Sequence, residues 1–159
     1  MKTTIRLIIT ILPLLCLSAV GPKAQAVVPP PDGGYPNFTT AEGTKALQSL
    51  TTGSPNTAVG WYSLFSNTEG SFNTAVGVGT LLFNVADTTF YGKENTAMGA
   101  AALLFNTTGS FNTATGATAP LSNTIGSSNT ANGFVALQFN TTGGGNTTTS
   151  LGALLSFSC

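Results

Sequence analysis

The sequence predicts an all-β protein, a β-solenoid or β-roll of about seven seventeen-residue coils, with room for one short helical turn per coil. Three observations carry this. Asparagine opens a similar unit at Asn56, Asn73, Asn95, Asn112, Asn129 and Asn146, spaced 17, 22, 17, 17 and 17 residues apart. The units roughly follow the template N-T-A-x-G-x-x-A-L-x-F/S-N-T-T-G-S-x, the first and last imperfectly. The units are rich in Gly, Asn and Thr, which disfavour helix and supply turns. A fixed period of this size marks an array whose units cannot bury their apolar residues alone, and seventeen residues are too few for a two-helix repeat of about 33 or more.

The elements follow in chain order. Lys2 and Arg6 precede an apolar run from Leu7 to Val20, and Ala24-Gln25-Ala26 is a small-x-small cleavage site, so residues 1–26 read as a signal peptide. The run is shorter than the roughly 20 apolar residues of a membrane span and contains Pro13, so no permanent membrane anchor is expected. Residues 27–38, "VVPPPDGGYPNF", read as a Pro/Gly-rich linker. The repeat region, 39–159, starts with a unit that has Thr39 in place of Asn and stops inside a unit at "SLGALLSFSC", which reads as a truncation. The one long step comes from "VADTTFYGKE", Val85 to Glu94, ten residues where the other units have five.

The columns of the template have physical roles. Leu47, Leu64, Leu81, Leu103, Leu137 and Leu154 repeat at the ninth position, with Pro120 the exception, and are expected to form an internal ladder. Each buried leucine contributes about 1.5–3 kcal/mol before entropy is subtracted. Ala in the third column and Gly in the fifth let backbone approach backbone. The asparagines, Asn56, Asn73, Asn95, Asn112, Asn129 and Asn146, fit either of two roles: a side-chain amide ladder between coils, or turn residues in solvent that cap their own turns.

Composition excludes several functions. Beyond residue 26 the chain carries two cations, Lys45 and Lys93, against five carboxylates, Asp32, Glu42, Glu69, Asp87 and Glu94, a formal charge of −3 with no arginine. Such a surface has no basic patch to neutralise phosphates, so no nucleic-acid partner is expected. The chain has no histidine, which removes Ser-His-Asp and Cys-His machinery and the usual zinc sites. Glu42 and Glu69 lie in different columns, so no carboxylate pair is indicated, and "GVGT" at Gly77–Thr80 lacks the lysine of a phosphate loop. No catalytic residue, metal or cofactor is expected. Cys159 is the only cysteine beyond Cys16, so no disulfide within the repeat region is available.

Thr57, Thr74, Thr96, Thr113 and Thr130 fill the second column and would present hydroxyls and methyls on an outer face, as ice-binding solenoids do; strand propensity alone gives the same column. Trp61 and Tyr62 are the exposed aromatics best suited to contact. Phe72, Phe83, Phe105, Phe111 and Phe139 read as filler of a core or an interface rather than as carbohydrate platforms. Sequons stand at Asn37, Asn106, Asn140 and Asn146.

The units "NTAVG…LFSNTEGSF" and "NTAMGAAALLFNTTGSF" resemble repeats of bacterial exported proteins of the tail-fibre-domain and autotransporter-adhesin-like kind, and more distantly the heads of trimeric autotransporter adhesins. The likeness covers Thr39 to the C-terminus, about three quarters of the chain. It implies a secreted or cell-surface stalk or fibre segment, non-enzymatic, with surface contacts and a homotrimer as its expected partners. Longer members end in a chaperone domain that drives trimerisation and cleaves itself, and nothing in this chain matches it. The rival expectation is a secreted solenoid that binds ice or a surface glycan through its Thr/Asn face.

Overall fold

The computed structural model describes residues 38–86, 91–119 and 122–152. The segment expected to be a signal peptide, the expected linker apart from Phe38, and Pro120, Leu154 and Cys159 lie outside them.

Seven short strands form one parallel sheet in sequence order: β1 (Thr40–Glu42), β2 (Thr57–Val59), β3 (Thr74–Val76), β4 (Thr96–Met98), β5 (Thr113–Thr115), β6 (Thr130–Asn132) and β7 (Thr147–Thr148). Each strand pairs only with the preceding and following ones, with Thr on Thr and Ala on Ala from β1 to β6. At β7, Thr147 continues the threonine column and Thr148 takes the alanine position. The protein is therefore a β-solenoid in which one chain turn advances one strand. The long step does not disturb this: β3 pairs with β4 as Thr74↔Thr96 and Ala75↔Ala97. The five extra residues are absorbed outside the ladder.

Three-residue strands cannot hold a sheet by themselves; the rest of each turn is also tied to its neighbours. The Leu64 N–H donates to the Thr80 carbonyl at 2.9 Å, the Leu81 N–H to the Ala102 carbonyl at 3.0 Å and the Leu103 N–H to the Ala119 carbonyl at 2.9 Å. On the other side of the turn the Glu94 N–H donates to the Ser71 carbonyl and the Phe111 N–H to the Lys93 carbonyl, both at 3.0 Å. The coil perimeter is thus one continuous backbone lattice, which satisfies groups that a buried loop would leave unpaired.

Between strand and asparagine corner the chain makes two successive tight turns, closed in the second coil by Ser63 N–H to Gly60 carbonyl (3.3 Å) and Asn67 N–H to Leu64 carbonyl (3.2 Å). The short helical turn that the "ALLF" stretches allow does not form, because the sign of φ alternates there. Gly60, Tyr62 and Leu64 have φ of 134°, 56° and 50°. The pattern recurs at Gly99, Ala101 and Leu103 with 123°, 55° and 51°. A left-handed leucine costs about 1–2 kcal/mol. Full burial of the side chain returns about 1.5–3 kcal/mol, and its backbone hydrogen bond adds about 1 kcal/mol, so the strained conformation is stable in the stack.

The core is one leucine wide. Leu64, Leu81, Leu103 and Leu137 are wholly buried, Leu47 nearly so, and they pack with the strand alanines Ala58, Ala75, Ala97, Ala114 and Ala131. Ala102, Ala119 and Ala136 complete the filling beside the leucines. Among the described residues no phenylalanine is in this core. The expectation that Phe72, Phe83, Phe105, Phe111 and Phe139 fill a core is corrected here, since each is 41–61 % exposed. The physical reason is volume: coils held together backbone to backbone leave no space for a ring.

Candidate functional site

The inside of the coil is closed by asparagine. In the first column the Oδ1 of one Asn accepts the backbone N–H of the next: Asn73 N–H to Asn56, Asn95 to Asn73, Asn112 to Asn95, Asn129 to Asn112 and Asn146 to Asn129, each at 3.0 Å. Their side-chain amides donate across the same coil to a glycine carbonyl, Asn56 to Gly70 at 2.8 Å and Asn112 to Gly126 at 2.8 Å. Of the two roles that the sequence left open, the amide ladder forms and the solvated turn residue does not: Asn56, Asn73, Asn95, Asn112 and Asn129 are buried, each a rung between coils and a clamp within one, and the Asn146 side chain donates to Asn129.

A second asparagine column, which sequence reasoning did not single out, runs parallel to it. Asn84 Nδ2 donates to Asn67 Oδ1 (3.0 Å), Asn106 to Asn84 (2.8 Å), Asn123 to Asn106 (2.7 Å) and Asn140 to Asn123 (2.9 Å). Each also donates to the same glycine carbonyl its first-column partner uses, as Asn123 does to Gly126 at 2.8 Å. The signal was present in the template as the recurring Asn before Thr-Thr-Gly; only burial distinguishes it from a turn residue. The column begins after Leu50, which takes the equivalent place in the first coil, and its last described acceptor, Asn140 Oδ1, is buried without a hydrogen-bond partner. Asn106 and Asn140 are fully buried sequons, so a glycan on either is incompatible with the folded stack. Asn146 is half-buried and bonded, and Asn37 lies outside the described residues.

The side chains open to solvent are therefore those outside the coil. Of the strand threonines, Thr57, Thr74 and Thr96 are half-buried and Thr113 and Thr130 exposed, all in one in-register file with Thr40 and Thr147. The column two residues on, Glu42, Val59, Val76, Met98, Thr115 and Asn132, shares the outward direction but repeats no chemistry. A further threonine column is committed to the fold: Thr107 Oγ1 donates to the Thr124 carbonyl at 2.8 Å and Thr124 Oγ1 to Thr141 at 2.9 Å.

Trp61 is 55 % exposed. Tyr62 beside it is half-buried, its ring centroid 4.2 Å from Trp61 and 4.9 Å from Phe65, with Lys45 Nζ 5.6 Å above it. Trp61 is thus the contact-ready member of the pair, and Tyr62 is held in a small cation–π cluster. A second apolar stripe carries Phe83 and Phe105, stacked with parallel planes at 5.3 Å, and Phe139 further along. A third carries Phe38, Phe72 and Phe111. "GVGT" is ordinary coil: Gly77 sits in the glycine column and Gly79 in the left-handed column that follows.

Among the described residues no three His, Cys, Asp or Glu side chains are grouped to hold a metal ion, and no helix is long and apolar enough to cross a membrane. Fold and surface define a β-solenoid with an asparagine-clamped interior and aromatic and threonine columns outside. Comparison with protein-family models, curated proteins and solved structures returns no match.

Proposed function

We propose that this chain is a non-enzymatic, exported structural or adhesive repeat protein, a stalk or fibre segment at the cell surface or in secretion, which attaches through multivalent contacts. The observation that supports it best is the division of labour around the coil. Interior polar groups are used for stacking, while the outward threonine file offers the same weak contact once per turn. A rigid repeat of weak contacts gains avidity from their number without any deep pocket. The exposed stripe of Phe83, Phe105 and Phe139 favours lateral packing of copies, and a homotrimer is the assembly the resemblance to trimeric adhesins suggests, without the domain that drives trimerisation there. An apolar patch of this kind on a soluble chain is normally an interface.

The test is retention of the full chain on a panel of cell-wall and abiotic surfaces, compared with versions from which one or two seventeen-residue units are excised. Retention should fall more than in proportion to the number of coils. Retention independent of coil number contradicts the proposal.

A second reading, ice binding, draws on the unbroken threonine file. It ranks lower because the neighbouring outward column does not repeat a hydroxyl. Thermal hysteresis that disappears when Thr74 and Thr113 are replaced by bulky residues would promote it.

A further inference from the structure

Phe38, Phe72 and Phe111 occupy the column immediately before the first asparagine column. Their φ values, 54°, 60° and 59°, are nearly the same, so their side chains leave equivalent backbone in the same direction. They are 91, 61 and 52 % exposed. Between them in the column stand Pro55 and Glu94, so an aromatic ring recurs at every second coil. Phe72 follows Phe38 by 34 residues and Phe111 follows Phe72 by 39, yet both intervals are two parallel strand steps because the long unit is absorbed between β3 and β4. Two steps of the parallel lattice span about 9.6 Å. Backbone geometry does not require a ring there, since the same left-handed column holds Ser128 and Gly145 with φ of 60° and 73°.

We propose that Phe38, Phe72 and Phe111 form an aromatic row that binds an extended, uncharged β-1,4-linked polysaccharide, one ring stacking on every second sugar. This rests on the adhesive reading and supplies its partner. In a β-1,4-linked chain each sugar is turned over relative to the last, so the same ring face recurs every second residue, at a repeat close to the two-coil step. The axial C–H groups of that face pack on the negative face of an aromatic ring. Glu94 lies between Phe72 and Phe111, and Phe72 and Glu94 line an open depression of about 380 Å³. A carboxylate there accepts hydrogen bonds from sugar hydroxyls. The column holds that carboxylate and no cation, which favours a neutral polyol over a phosphorylated, sulfated or uronic chain. Pro55, Glu94 and Ser128 interrupt the row, whereas the contiguous stacked pair Phe83–Phe105 is the better surface for a second copy.

The experiment is depletion of the purified full chain by microcrystalline cellulose and by chitin, with α-linked starch granules as the control, alongside sedimentation velocity and thermal melts. Depletion by either β-1,4 powder and not by starch is expected, and the arm that binds tells a plain from an N-acetylated glycan. Phe72→Ala and Phe111→Ala should each weaken binding about fivefold, and the double variant about 25-fold if the sites act independently. Their melting temperatures should stay unchanged, as should the sedimentation coefficient. Phe72→Trp should match or tighten binding, and Ile125→Ala, at an exposed residue outside the aromatic stripes, should leave it unaltered. No depletion by either powder, equal depletion by starch, or a double variant that binds like the parent overturns the proposal; so does a change of sedimentation in Phe72→Ala, which would make the row a contact between copies. If the powders fail while another surface still retains the chain in a coil-dependent way, the row's assignment falls and the adhesive reading stands. If no surface retains it, both fall.

Discussion

Glycine in this fold performs two separable tasks, and two residues of one coil distinguish them. Gly77 has φ 136°, and a Cβ there would lie 2.7 Å from the Gly99 carbonyl oxygen of the next coil. Gly79 has φ 64°, and its Cβ would meet only the Leu104 Cδ1 at 3.6 Å, an ordinary contact. Gly77→Ala therefore forces backbone away from backbone and should cost about 3 kcal/mol or more. Gly79→Ala adds only the left-handed penalty, about 1 kcal/mol, which Ala101 already carries in the same column. Chemical denaturation of the two variants checks this, and equal losses would contradict the close-approach explanation. The asparagines are the other residue-scale device. Their columns repeat because each Oδ1 must meet the next coil, and a turn-capping Asn would have produced the same letters. That is why sequence alone could not separate ladder from cap.

The single coil is the element, and its most legible features are those that require one residue type. Leucine in the core, alanine in the strand and glycine at close approach repeat by identity, so period and burial could be read directly from the sequence. The left-handed seventh column could not: it holds Lys45, Tyr62, Gly79, Ala101, Thr118, Val135 and Gly152, which share φ between 55° and 64° and no chemistry. Neighbouring coils impose that conformation, against the preference of each residue except the glycines. The phenylalanines failed as core candidates for a related reason, because hydrophobicity does not reveal that the coil is too narrow for a ring. The long unit belongs to this scale too. Gly92 takes the clamp position, its carbonyl accepting Asn73 and Asn84 amides at 3.0 and 2.9 Å, so the insertion ends where an ordinary unit would. Replacing residues 85–94 by the five-residue "TTGSF" should preserve the lattice and change stability by less than about 1 kcal/mol, since loop closure depends weakly on length. Loss of cooperative unfolding in that variant would show the insertion to be a structural joint.

At the scale of the whole molecule, the solenoid is a one-dimensional stack in which each coil touches only its neighbours. Stability therefore accumulates along the axis, and outward columns keep a fixed pitch whatever their sequence separation. Both the avidity argument and the aromatic row depend on that pitch. The most direct test places spin labels at pairs of exposed strand threonines in a cysteine-free background (Cys16→Ser, Cys159→Ser): Thr40 with Thr113, with Thr130 and with Thr147, which are four, five and six strand steps apart. Electron–electron dipolar spectroscopy should give narrow distributions centred near about 19, 24 and 29 Å, linear in coil number. Broad distributions, or distances that do not grow by one strand spacing per coil, would contradict the stacked-coil account.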